Sequence, residues 1–135
     1  MVNQESEHAG TPRILIVDDA IDLLETWQLL LESEGFRVVA ATCGGDGLEL
    51  ARQHAPDLVV TDLMMPGMDG LTLCRNLRAD VTLKRIPIIM WTASLVNIDE
   101  RVFDRFLLKP VFLDQLVGEI RSLLPDRSNR TTEST

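Results

Sequence analysis

The sequence has no run of basic residues. Lys and Arg total 13 against 21 Asp and Glu in 135 residues, a net charge of −8 with both histidines neutral. Duplex DNA is held mainly through Lys and Arg, so this balance argues against a direct nucleic-acid partner and in favour of proteins or bound cations. Histidine and cysteine are scarce too, with only His8, His54, Cys43 and Cys74. The cysteines lie 31 positions apart and make no C-x-x-C pair. They read as small buried hydrophobes in a reducing compartment, with a disulfide as the alternative, and no His/Cys metal site is expected. No stretch approaches the ~18 consecutive apolar residues of a membrane span. Residues 1–10 are polar and acidic, so neither a signal peptide nor an anchor is expected there, and the protein is expected to be cytoplasmic with no membrane partner. Gly44-Gly45-Asp46-Gly47 fits neither a P-loop nor a dinucleotide fingerprint and reads as a loop and helix start.

What is present suits one globular domain: 45% of the residues are apolar and 25% charged. Residues 1–12 and 126–135 are expected to be disordered tails, the latter without any apolar residue, leaving a domain over 13–125. Inside it, short apolar runs alternate with segments of helical period. The runs are Ile14–Val17, Val38–Ala40, Leu58–Val60, Ile86–Trp91 and Phe106–Leu108. Most are dense rather than alternating, as in strands of a parallel sheet covered on both faces. Leu24, Trp27 and Leu31 form one helical stripe, Leu48, Ala51 and Ala55 a second, Leu71, Cys74 and Leu77 a third. Leu113, Leu116, Val117, Ile120 and Leu124 form the last, before Pro125. The expected fold is α/β, a doubly wound five-stranded parallel sheet, with a weak spot after the fourth strand.

In such sheets ligands bind beyond the carboxyl ends of the strands. The first strand ends in Asp18-Asp19, the third in Asp62, the fourth in Thr92, and the fifth in Lys109-Pro110. Singly these have ordinary explanations: a helix N-cap, a turn opener, a strand hydroxyl and a snorkelling charge. Together they fit those explanations poorly. Carboxylates crowded at one edge repel unless a cation sits among them, and a hard, oxygen-ligated Mg²⁺ meets that need. Such a pocket can hold a phosphoryl group, with Lys109 and Thr92 contacting its oxygens and a carboxylate accepting it. Asp62, alone on the central part of the edge, is the candidate nucleophile, and Asp18 and Asp19 are the paired metal binders.

With these residues in place the chain resembles a response-regulator receiver domain of two-component signalling, of flavodoxin-like shape. The resemblance is carried by Ile14-Leu15-Ile16-Val17-Asp18-Asp19, by residues 57–70 (DLVVTDLMMPGMDG), by Trp91-Thr92-Ala93 and by Leu107-Leu108-Lys109-Pro110, and it covers roughly residues 13–124. It implies phosphorylation of Asp62 from a phosphohistidine of a sensor histidine kinase or histidine phosphotransfer protein. It also implies that Asp19 binds Mg²⁺ directly, Asp18 largely through water, and the Met64 backbone carbonyl as a further ligand. Thr92 would be the switch hydroxyl, Phe106 the switch aromatic, and the Lys109–Pro110 bond cis. By the same resemblance, Met64 and Ser94 match the variable positions two after the phosphoacceptor and two after the switch Thr, and would influence dephosphorylation. On this reading the protein is a stand-alone phosphoacceptor switch rather than an enzyme, a monomer or weak homodimer acting on an unidentified downstream protein.

One stretch departs from the family pattern. Thr92 and Lys109 are only 17 apart, about five residues short of the usual fourth helix and its loop. Asn97-Ile98-Asp99-Glu100 resembles an N-cap with a capping acid, so the expectation is a shortened or irregular fourth helix, of one or two turns over Ile98–Asp104. The output surface is then expected to use the first helix or a remodelled 93–105 loop. Two other classes remain open on the residues: a small Mg²⁺-dependent phosphohydrolase and a non-phosphorylated flavodoxin-like binding module.

Overall fold

The computed structural model describes residues 10–94 and 98–124. The chain runs β1 (Arg13–Val17), α1 (Ile21–Ser33), β2 (Arg37–Ala41), α2 (Gly44–His54), β3 (Leu58–Asp62), α3 (Gly70–Ala79), β4 (Ile88–Thr92), β5 (Arg105–Leu108) and α4 (Leu113–Leu123). All strand pairings are parallel, in the order β2-β1-β3-β4-β5. The dense apolar runs of β1, β3 and β4 are strands for the reason the pattern suggests, being covered on both faces, whereas the edge strands β2 and β5 are only partly covered. One face of the sheet packs Leu15, Val17, Val59 and Met90 against Leu48 and Ala51 of α2 and Leu73, Cys74 and Leu77 of α3. The other packs Ile14, Ile16, Ile89 and Trp91 against Leu24, Trp27 and Leu31 of α1 and Leu116, Val117 and Ile120 of α4. The chain changes faces after β2, so β1 and β3 diverge in their connections and open a crevice between their carboxyl ends.

Both cysteines are free thiols, which removes the disulfide alternative. Cys74 lies in the core, and burial pushes its thiol pKa up to about 12, so it packs as an apolar group. The Thr11 and Pro12 carbonyls accept hydrogen bonds from Arg37, at 3.2 and 2.9 Å. The expectations for residues 1–9 and 125–135, and for the N-cap at Asn97, lie outside the described residues.

The short helix expected over Ile98–Asp104 is absent: these residues have no regular structure, and among the described residues no helix stands between β4 and β5. Side chains of α3 hold them instead. Glu100, read as a capping acid, gives its carboxylate to Arg75 in a two-pronged pair. Arg78 donates to the carbonyls of Val102, Lys84 and Ile86 and to the Asp104 carboxylate at 2.6–3.1 Å. Asp104 in turn accepts the Ile88 amide at 2.8 Å. Ile98, Val102 and Phe103 pack on the α2–α3 side of the core, filling with side chains part of the space a helix would occupy.

Candidate functional site

Because all five strands run the same way, their carboxyl ends meet at one edge. The register aligns Val17 with Thr61, Asp62 with Trp91 and Thr92 with Leu108, so the residues that follow these rows gather there. Asp18, Asp19 and Asp62 each offer a carboxylate oxygen within 4.8 Å of the others. Asp18 is fully buried and Asp62 nearly so, while Asp19 is exposed at the mouth. Asp18 Oδ1 accepts the Ala20 amide at 2.9 Å, which fixes the carboxylate where the chain turns into α1. Lys109 Nζ reaches across from the end of β5 to Asp18 Oδ2 at 2.7 Å and Asp62 Oδ2 at 3.3 Å. The Lys109 backbone amide donates to the Thr92 carbonyl at 2.8 Å, which anchors the root of that side chain, and the Lys109–Pro110 peptide is cis.

Burial raises the Asp62 carboxyl pKa above its ordinary value of 3.8. Lys109 opposes that shift and the neighbouring Asp18 adds to it. A group in this position resists ionisation and gains from added positive charge. The donor set is wholly oxygen, with one ammonium for three carboxylates, and so fits a hard divalent cation.

Thr92 is 1% exposed, and its Oγ1 lies 3.4 Å from the Ser94 amide. Met64 is exposed, and its amide approaches Asp62 Oδ1 at 3.4 Å. Phe106 stands farther off on β5, partly exposed and edge-on to Phe103 at 5.9 Å between centroids. The structure thus brings Asp18, Asp19, Asp62 and Lys109 into one cluster, sets Thr92, Met64 and Ser94 around it, and leaves Phe106 outside. Two further residues were not singled out by sequence reasoning. Gly70 opens α3 with its amide on the Leu63 carbonyl at 2.8 Å, and a Cβ there would collide with the Asp62 backbone carbonyl. Trp91 lies against Lys109, with 5.4 Å from Nζ to the ring centroid. Its position beside Thr92 was the available signal.

The profile of the family described as the response regulator receiver domain matches residues 14–121. The chain belongs to that family. Receiver domains take part in two-component signalling with histidine kinases or phosphotransfer proteins and bind Mg²⁺ in an acidic pocket, here represented by the Asp18, Asp19 and Asp62 cluster. The receiver is 37% identical over 126 residues to the DNA-binding response regulator MtrA of Mycobacterium tuberculosis, covering 90% of this chain and 54% of that protein. It is 38% identical over 119 residues to the DNA-binding dual master transcriptional regulator RpaA of a Synechocystis strain, covering 84% and 49%. Among solved structures, the CheY-like receiver from Methylobacillus flagellatus superposes with a TM-score of 0.78 at 28% identity, over 84% of this chain and 99% of that one. Chemotaxis protein CheY4 of Vibrio cholerae shares the fold, with a TM-score of 0.79 at 24% identity over 85% and 100%. The receiver spans about half the length of the curated relatives it matches. Those relatives lend no support to the expectations of a stand-alone regulator without a nucleic-acid partner. Among the described residues no helix is long and apolar enough to cross a membrane.

Proposed function

We propose that this receiver accepts a phosphoryl group on Asp62 from a phosphohistidine of a sensor kinase or phosphotransfer protein in the cytoplasm, and passes the signal on as a change of surface. The observation that carries this reading is the buried Asp62 carboxylate within reach of two further carboxylates and the Lys109 ammonium. In the transfer an Asp62 oxygen forms the new P–O bond as the P–N bond to the donor imidazole breaks. The imidazole leaves with the electron pair and takes a proton from solvent. Asp18, Asp19 and the Met64 backbone carbonyl are the residues we assign to Mg²⁺, together with Asp62. Bound there, Mg²⁺ supplies charge neutralisation for the carboxylates and for a phosphoryl oxygen. Lys109 neutralises a second oxygen.

The Thr92 hydroxyl donates to the third, drawing Ala93 and Ser94 with it, and Phe106 follows inward from its partly exposed position. Met64 and Ser94 flank the approach to the phosphoryl group and set how readily water reaches it. This is self-modification rather than turnover of an external substrate. The downstream protein would then read the irregular connection before β5, or α1, since both adjoin the site.

The test is intact mass after incubation with Mg²⁺ and a small phosphodonor such as acetyl phosphate. One added phosphoryl group, absent in Asp62→Asn and in chelator, is the expected result. Sustained donor hydrolysis with no trapped adduct at any time would support a phosphohydrolase instead. Neither adduct nor turnover would leave a binding module.

A further inference from the structure

The geometry points to Trp91 as a positioning residue for Lys109, holding the ammonium over the acidic cluster by a cation–π contact. Lysine carries its charge on a flexible four-carbon stem, so the place of that charge depends on what surrounds it. Here Nζ lies 2.7 and 3.3 Å from two carboxylates and over the Trp91 ring, 5.4 Å from its centroid. That separation falls within the roughly 6 Å over which an indole face attracts a cation, and the attraction strengthens where water is excluded. Trp91 is 1% exposed. Strand alternation turns it to the face opposite Thr92, while the register keeps it abreast of Asp62.

Trp27 of α1 backs the ring at 5.3 Å between centroids and a 56° tilt. Trp91 Nε1 has no hydrogen-bond partner among the described residues, so packing sets the ring's position. A cavity of about 380 Å³ lined by Leu23, Trp27, Trp91, Pro110 and Val111 opens beside the Lys109 stem. With leucine at position 91 that space would widen around the stem, and the ammonium would lose its aromatic partner, which, unlike the carboxylates it meets among the described residues, does not compete for Mg²⁺. Were Asp18 engaged in holding Mg²⁺, the ring would still keep Lys109 near Asp62, where an incoming phosphoryl oxygen would need it. The functional half of this inference rests on the phosphoacceptor reading, whereas the placement of the ammonium does not.

The experiment compares wild type, Trp91→Leu and Trp91→Phe. In wild type, the ring current of the indole shifts the NMR signals of the Lys109 side-chain methylenes upfield. That shift is lost in Trp91→Leu and partly kept in Trp91→Phe. With a small phosphodonor and saturating Mg²⁺, Trp91→Leu phosphorylates about three- to tenfold more slowly, Trp91→Phe falls between, and Mg²⁺ affinity measured by calorimetry is unchanged. Unshifted Lys109 signals in wild type overturn the placement. Equal rates in all three proteins overturn the positioning role, as does equal slowing by both substitutions in step with lost stability. A wild type that takes no phosphoryl group at all, while its Lys109 signals are shifted, refutes the phosphoacceptor reading and with it the role in transfer.

Discussion

Removing the Arg78 guanidinium tests what replaces the missing helix. Its side chain is about one-quarter exposed and binds three backbone carbonyls and one carboxylate: Val102 at 3.1 Å, Lys84 at 3.0 Å, Ile86 at 2.6 Å and Asp104 at 3.0 Å. Met keeps the stem's volume and drops every donor. The Lys84 carbonyl belongs to an exposed residue, where water can substitute, and the Asp104 pair is screened by solvent. That leaves chiefly the Ile86 and Val102 carbonyls, each worth about 1–1.5 kcal/mol with a charged donor in a half-buried setting. Arg78→Met should therefore cost about 2–3 kcal/mol, a fall in melting temperature of about 10 °C for a domain of this size. Urea unfolding followed by far-UV circular dichroism and by Trp fluorescence gives the number. Since Trp27 and Trp91 lie on the opposite face, coincident curves would show that the connection is part of the cooperative unit. A change below about 0.5 kcal/mol would refute the reasoning, because it would mean that water serves those carbonyls as well as the guanidinium does. Arg75→Ala is the control, and it should barely move the midpoint, since the Arg75–Glu100 pair is open to solvent.

Three other outcomes follow from the same geometry. The folded Asp62 pKa is raised by burial, so its contribution to stability is fully present below about pH 3.8, the unfolded value, and is lost as pH rises through the folded one. In chelator, Asp62→Asn should accordingly be more stable than wild type at pH 7, with a difference that shrinks as urea midpoints are taken toward pH 4. Lys109→Met leaves buried Asp18 facing Asp62 without its cation and should cost about 2–3 kcal/mol in chelator, and Mg²⁺ should recover more stability than it adds to wild type, as read by calorimetric melting. Gly70→Ala should shift the end of β3 through the collision with the Asp62 carbonyl, costing about 2 kcal/mol or more and slowing phosphorylation, as measured by urea titration and intact mass.

The strands and the acidic edge were legible in the sequence because both follow from simple rules. Strands covered on two faces read as dense apolar runs, and parallel strands deliver whatever follows them to one edge, which is why Asp18, Asp62 and Lys109 meet. What escaped depends on contacts that leave no periodic trace. Gly44-Gly45-Asp46-Gly47 reads as a loop and helix start, and α2 does begin there; what the pattern does not show is why glycine is used against helix propensity, namely that a Cβ on Gly47 would lie 2.8 Å from Val17 Cγ2, so small residues let the helix close on β1. Of the shortened or irregular fourth helix expected, the 98–104 stretch is the irregular form: Glu100 looks like a capping acid, but tertiary partners claim it and its neighbours. Arg78 acts on carbonyl oxygens, which every residue has, so no pattern of side chains announces it.

The reach of Lys109 has one more consequence. Its ammonium meets Asp18 across 91 positions of chain and Asp62 across 47, so the site is closed only by the last strand to be synthesised. An emerging or truncated chain that lacks β5 would carry the acidic residues without their counter-charge. Loop closure over such distances is among the slow events of folding, delayed until the sheet is complete. On the phosphoacceptor reading, a chain that has not yet placed β5 would hold the acidic residues without the ammonium that neutralises the incoming group, so acceptance would wait on the finished sheet.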